Sequence, residues 1–111
     1  MFRSITFRRF SSNPKVLSSS HEAVKYVKSG DSLLFGGFGL VGIPENIIRA
    51  LAYGMTRDHT VVSNEGGTDY FGLGLMIKNR QIKRLISSFI GGNKELERQF
   101  LCGETEVEFI P

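Results

Sequence analysis

A chain of 111 residues with 41% hydrophobic residues, Phe 9 and Trp 0 is large enough for one small globular domain and no more. No apolar run approaches the roughly 18 residues of a bilayer-spanning helix, which argues against a membrane span. The net charge of +3 belongs to the leader: four of the 14 basic residues (Arg3, Arg8, Arg9, Lys15) precede the first acid, Glu22, so the remaining ten face all 11 acids. A body that is slightly acidic offers no positive face for nucleic acid.

Residues 1–19 (Met-Phe-Arg-Ser-Ile-Thr-Phe-Arg-Arg-Phe onward) are rich in Arg, Ser and Phe and free of acid. That composition is the one expected of a mitochondrial transit peptide. On a helix, Phe2, Ile5 and Phe10 can share one side while the arginines cover another. The expectation is import to the mitochondrial matrix, with cleavage between Phe10 and Ser20. The body then begins near residue 20.

Ser19 and Glu22 have the spacing of a capping box, with Ala23, Val24 and Val27 at helical spacing behind them. Gly30 is the expected stop of this helix. Ser32 to Phe35 is a short apolar run that reads as a strand buried on both faces. Pro44 suits the first turn of a helix over Glu45 to Tyr53, ended by Gly54, with Ile47, Ile48, Leu51 and Ala52 as its apolar stripe. Thr60 to Val62 reads as a second strand closed by Asn64, and Glu65, Gly66 and Gly67 as a turn.

Leu73 to Ile77 suggests a short helical segment, and Ile82 to Ile90 a third strand. Asn93 can cap a helix from Lys94 to Leu101, stopped by Gly103. Glu106 to Ile110 alternates as a fourth strand. Strands separated by short helices imply crossover connections, hence an α/β fold with a mostly parallel sheet. Four short strands make an incomplete domain, and no internal repeat is evident.

The chemistry-bearing stretch is Gly36-Gly-Phe-Gly-Leu-Val-Gly42, between the first strand and Pro44. Glycines at 36, 37, 39 and 42 permit positive φ and close approach of a ligand to the backbone. Their amides and the following helix N-terminus can face an anion, and Phe38 can cover an apolar part of it. A tight turn that merely lets strand and helix pack explains the same glycines. The lack of a Gly-Lys-Ser/Thr ending leaves a P-loop unsupported. Gly37, Gly39 and Gly42 mimic the dinucleotide fingerprint, but Pro44 stands where that helix would already be running.

Gly36 to Glu45 resembles the first signature of the family I CoA-transferases, in the form found among those acting on succinyl-CoA and 3-oxoacids. The similarity continues in Val62-Ser-Asn-Glu-Gly-Gly67, Phe71-Gly-Leu-Gly-Leu75, Gln81-Ile-Lys-Arg84 and Gly91 through Glu108, and so covers about residue 20 to 111. It implies the CoA-transferase type of α/β fold, with residues 20–111 as the truncated N-terminal part of the first-half, alpha-subunit-like domain. It also implies CoA transfer from succinyl-CoA to a 3-oxoacid such as acetoacetate, in ketone-body catabolism, with the CoA thioester as substrate and no cofactor.

In that family a glutamate attacks the acyl-CoA thioester and passes through an acyl anhydride to a glutamyl-CoA thioester. It lies in a second-half Ser-Glu-Asn-Gly motif, which this sequence lacks. No catalytic residue is therefore expected before Pro111, and the piece alone should be inactive. The resemblance assigns Gly36, Gly37, Phe38, Gly39, Leu40, Val41 and Gly42 to the CoA-facing loop and Asn64 to a strand end near the cleft. It implies the remainder of the enzyme, or a complementary half, as partner, and a homodimer when complete.

Val41 stands where the family often has Cys, and Glu65 and Gly66 where it has Asn and Ala. Ser63-Asn-Glu-Gly66 scrambles the letters of the catalytic motif but aligns with a first-half turn, so Glu65 is expected to be a solvated turn residue. His21 and His59 lack convergent partners, and no metal-ligand spacing appears. Cys102 has no partner for a disulfide, and its neighbours Glu104 and Glu106 disfavour a thiolate nucleophile. Two other readings remain open: a sugar-phosphate isomerase relative with a phosphate-binding glycine loop, and a non-catalytic module binding CoA or another anion.

Overall fold

The structure is a computed structural model that describes residues 16–111; the transit peptide expected over 1–19 lies almost wholly outside them. Eight elements follow in chain order: α1 (Ser20–Val24), β1 (Ser32–Phe35), α2 (Glu45–Tyr53), β2 (His59–Ser63), α3 (Gly74–Lys78), β3 (Ile82–Ser87), α4 (Lys94–Leu101) and β4 (Glu106–Phe109). The strands form one parallel sheet in the order β1-β2-β3-β4. The parallel α/β expectation therefore holds.

Local signals explain most boundaries. The Ser19 hydroxyl accepts the Glu22 amide, which caps α1. The Glu22 carboxylate does not close a reciprocal box; it accepts from the Ser18 hydroxyl at 2.8 Å instead. The helix stops at Val24, well before Gly30. The Asp31 carboxylate captures the Lys28 amide at 2.8 Å, so the segment ahead of β1 is a turn in which Gly30 takes φ 88°. Helix α2 matches its expected span, though Pro44 serves as N-cap rather than first-turn residue. Its apolar stripe is seated as expected, with Ile48 and Leu51 buried and Ile47 and Ala52 half-buried.

Strand β3 ends at Ser87, three residues early. There the Ser87 hydroxyl donates to the carbonyls of Asn64 and Phe89, which turns the chain out of the ladder. For α4, the Asn93 side chain accepts the Leu96 amide at 2.9 Å, and Gly103 at φ 81° ends it.

The sheet register aligns Leu33, Val61, Leu85 and Val107 in one row. Ile48 and Leu51 of α2, Met76 and Ile77 of α3 and Leu96 of α4 pack against that row to form the core. Each fully buried aliphatic side chain contributes about 1.5–3 kcal/mol of transfer free energy. Side chains alternate across a strand, so the neighbouring row of Leu34, Val62 and Ile86 faces the other way. Leu34 is 77% exposed. The expectation of a strand buried on both faces is corrected: among the described residues, helices cover one face only. All four strands point the same way, so the loops after β1, β2 and β3 emerge at one carboxyl edge, where open α/β sheets place ligands.

Candidate functional site

The loop leaving β1 is a two-residue hairpin held between glycines. Phe38 and Val41 exchange both backbone hydrogen bonds, each 2.9 Å, around Gly39 and Leu40. Gly37 at φ 122° and Gly42 at φ 70° turn the chain into and out of this bracket. A Cβ on Gly37 would stand 2.6 Å from Ile43 Cγ2 and 3.0 Å from the Val41 carbonyl, so no larger residue fits. Three amides of the loop are thus already spent: Phe38 and Val41 on each other, and Gly39 on the Asn64 side-chain carbonyl at 3.3 Å. Among the described residues the Gly36, Gly37, Leu40 and Gly42 amides have no protein acceptor, and these four are the donors the loop can offer a ligand. Phe38, Leu40 and Val41 all stand exposed, with Phe38 at 77%.

Asn64 sits where three strand ends meet. Its side chain holds Gly39, while its carbonyl accepts from the Ser87 hydroxyl at 2.9 Å and the Ser88 amide at 3.2 Å. Glu65 departs from the solvated position expected for it. It is half-buried, bridges Phe89 through its backbone, and its Oε1 lies 3.8 Å from where a Cβ on Gly39 would be. A carboxylate therefore leans on the glycine loop from the β2 side.

A second bracket stands beside the first, and the sequence does contain a repeat after all. Gly66-Gly67-Thr68-Asp69-Tyr70-Phe71-Gly72-Leu73 copies the Gly-Gly-x-x-x-x-Gly pattern of Gly36 to Ile43. Thr68 and Phe71 exchange the same pair of backbone bonds, at 3.2 and 3.4 Å, between Gly67 at φ 69° and Gly72 at φ 61°. The brackets touch: a Cβ on Gly72 would meet Leu40 Cδ2 at 3.1 Å and Ile43 Cδ1 at 3.2 Å. The two central residues carry little of the repeat, Gly39-Leu40 against Asp69-Tyr70, so only the glycine spacing reveals it.

Buried Asn93 fastens this second bracket. Its Nδ2 donates to the carbonyls of Gly66 at 3.1 Å and Thr68 at 3.3 Å, while its Oδ1 caps α4. From sequence Asn93 is a helix cap; in the fold it is equally a loop anchor.

Titratable groups are arranged structurally. Arg98, hydrogen-bonded to Glu95 at 2.7 Å, holds that carboxyl down at about 2, with Gln99 adding to the effect. Glu104 is likewise lowered to about 2, first by Arg98 and then by Arg80. His59 is fully buried, its Nδ1 donating to the Asp31 carbonyl and its Nε2 facing the Thr56 hydroxyl at 3.0 Å, which leaves it no open position. Cys102 is exposed. Among the described residues no group of three or more His, Cys, Asp or Glu side chains gathers to hold a metal.

Paired glycine brackets at the carboxyl edge of a parallel sheet define an α/β protein whose loops leave backbone amides unpaired there. The chain matches the coenzyme A transferase family over residues 17–111, and it belongs to that family. It is 56% identical over 97 residues to one subunit of a probable succinyl-CoA:3-ketoacid coenzyme A transferase of Bacillus subtilis, covering 87% of this chain and 41% of that protein. It is 41% identical over 108 residues to the human mitochondrial succinyl-CoA:3-ketoacid coenzyme A transferase 2, covering 94% of this chain and 21% of that one. The chain thus spans about two fifths of the bacterial relative and one fifth of the human enzyme.

Among solved structures, an acyl-CoA transferase of Escherichia coli, in a thioester complex with CoA, superposes with TM-score 0.67 at 20% identity, over 84% of this chain and 20% of that chain. A variant of the decarboxylase AibA/AibB superposes with TM-score 0.68 at 22% identity, over 84% of this chain and 37% of that chain. These likenesses establish the fold. They include a decarboxylase, so the fold does not by itself select the reaction.

Proposed function

We propose that this chain supplies the CoA-facing loop of an enzyme transferring CoA from succinyl-CoA to a 3-oxoacid such as acetoacetate. The observation that carries the reading is the bracketed loop at Gly36 to Gly42, tied to the end of β2 by Asn64 and offering the Gly36, Gly37, Leu40 and Gly42 amides at the carboxyl edge. The names of the sequence relatives support the substrates; the two rival readings of the glycine loop have no such support.

In this reading the loop and Asn64 bind and orient the thioester, and Phe38 shields its apolar arm. The attacking glutamate comes from the remainder of the enzyme or from a complementary half, and no cofactor is needed. The name of the human relative and the acid-free leader support the mitochondrial matrix as the site of action, with ketone-body catabolism as the role. The complete assembly is a homodimer.

The test is a chimera. Residues 17–111 replace the matched segment of the Bacillus subtilis protein, which is then combined with the other subunit of its enzyme. Formation of acetoacetyl-CoA from succinyl-CoA is the expected result, while the isolated chain gives none. A chimera that folds and assembles yet remains inactive would overturn the reading, as would turnover by the chain alone.

A further inference from the structure

A groove of about 380 Å³ lies away from the first glycine loop, lined by Asp69 and Tyr70 of the second bracket, Lys78 of α3, and Lys94, Glu95 and Arg98 of α4. Its charges are unevenly committed. The Asp69 carboxylate accepts the Glu95 amide at 3.1 Å. Glu95 is occupied by Arg98 at 2.7 Å and by the Gln99 amide group at 2.9 Å, and Arg98 also reaches Glu104 at 3.2 Å. Lys78 and Lys94 have no ion pair among the described residues.

Glu95 is ion-paired with Arg98 while Asp69 accepts only a backbone amide, and three cations (Lys78, Lys94, Arg98) against these two acids leave the groove a net positive charge. Beside them stands an aromatic platform. Tyr70 is 68% exposed, and the Lys78 ammonium lies 5.5 Å from its ring centroid. A cation over one face of the ring leaves the remaining ring surface open to a second planar group.

We propose that this groove binds a nucleotide: Lys94 and Lys78 take the phosphate oxygens and Tyr70 stacks with the base. Lysines bind phosphate as point charges, and Lys94 at the start of α4 adds the favourable end of the helix dipole. Asn93 holds the second bracket against α4, so the walls are set before the ligand arrives. The nucleotide comes either as a free molecule or as the end of CoA. The proposal does not depend on the transferase reading, because its readout is binding and not turnover.

The experiment titrates the 111-residue chain, followed by amide NMR shifts and calorimetry, with ADP, CoA and inorganic phosphate in separate arms. The expected result is saturable ADP binding with shifts centred on Tyr70, Lys78 and Lys94, weakened by salt. Lys78→Gln and Lys94→Gln should each weaken it about tenfold, the scale of one lost charge-assisted contact. Tyr70→Ala should weaken it similarly while Tyr70→Phe retains it, and all four variants lie on the exposed rim, so folding is checked by their unchanged far-UV spectra.

CoA binding with the same shifts identifies the nucleotide end of CoA as the ligand; ADP binding without CoA binding identifies a free nucleotide. Inorganic phosphate binding as tightly as ADP would overturn the assignment of a base on Tyr70. The whole proposal fails if ADP at millimolar concentration shifts none of these residues, or if its binding survives both lysine substitutions.

Discussion

Asn64 and Gly39, 25 residues apart, are joined by a hydrogen bond from the Gly39 amide to the Asn64 side-chain carbonyl at 3.3 Å. It is the tie that fixes the tip of the first glycine bracket relative to the end of β2. The backbone pair Phe38–Val41 sets the shape of the bracket, and the Asn64 hydrogen bond ties its tip to the end of β2.

Replacing Asn64 by Ala is therefore expected to act more on chemistry than on stability. The lost hydrogen bond costs about 1 kcal/mol, read as a small fall in the urea midpoint. In the active chimera, displacement of the loop should lower kcat/KM about ten- to a hundredfold, the scale seen when a reacting group is misplaced by about 1 Å. Asn64→Asp keeps an acceptor for Gly39 and should recover most of the stability. An unchanged kcat/KM for Asn64→Ala would show that the loop holds its position without this bond.

Two glycines separate steric need from sequence habit. A Cβ on Gly74 would sit 1.6 Å from the Thr68 carbonyl oxygen, a backbone atom that cannot swing aside. Gly74→Ala should therefore push α3 off the second bracket, with a loss of about 3 kcal/mol or outright failure to fold. Gly36 has nothing within 4 Å of its Cβ position. Gly36→Ala should stay within about 0.5 kcal/mol. Matched thermal melts of the two variants decide this, and equal losses would contradict the close approach of α3 to Thr68.

Helices α2 and α4 were legible in the sequence because their ends carry their own signals: Pro44 and Gly54, Asn93 and Gly103. The glycine loop was legible for the same local reason. What escaped depends on contacts distant in sequence. The early end of β3 at Ser87 follows from a hydroxyl that bonds Asn64, and the anchoring role of Asn93 needs Gly66 and Thr68 to arrive beside it. The second bracket was hidden because residues between its glycines differ from those of the first. The tilt of Glu65 toward Gly39 could not be read from a turn motif at all, since it depends on where the first bracket lies.

Acid should weaken the corner of the fold around Arg98. Glu95 and Glu104 are both lowered from 4.5 to about 2 by their hydrogen bonds to Arg98. A carboxyl depressed in the folded state contributes stability that is fully present above its unfolded value. That contribution is lost as pH falls from about 4.5 through about 2. Stability of the chain should accordingly decline over this window, and Arg98→Gln should flatten the decline. Denaturant midpoints measured from neutral pH down through this window test it; parallel curves for the two proteins would remove Arg98 as the cause.

The one-sided sheet gives the last prediction. Leu34 and Leu85 are both leucines in the same parallel sheet, yet Leu34 is 77% exposed and Leu85 0%. Leu85 lies in the row that α2, α3 and α4 cover, so Leu85→Ala should cost about 2–5 kcal/mol through lost contacts and a residual cavity. Leu34 lies in the row that nothing covers among the described residues, and Leu34→Ser should change the stability of this chain by no more than about 0.5 kcal/mol. Parallel sheets are normally covered on both faces. In the chimera, where the remaining polypeptide is present, Leu34→Ser is expected to become destabilising. A large loss for Leu34→Ser in the isolated chain would mean that this face is already buried, by self-association or by residues ahead of Val16, and the sedimentation behaviour of the chain would tell these apart.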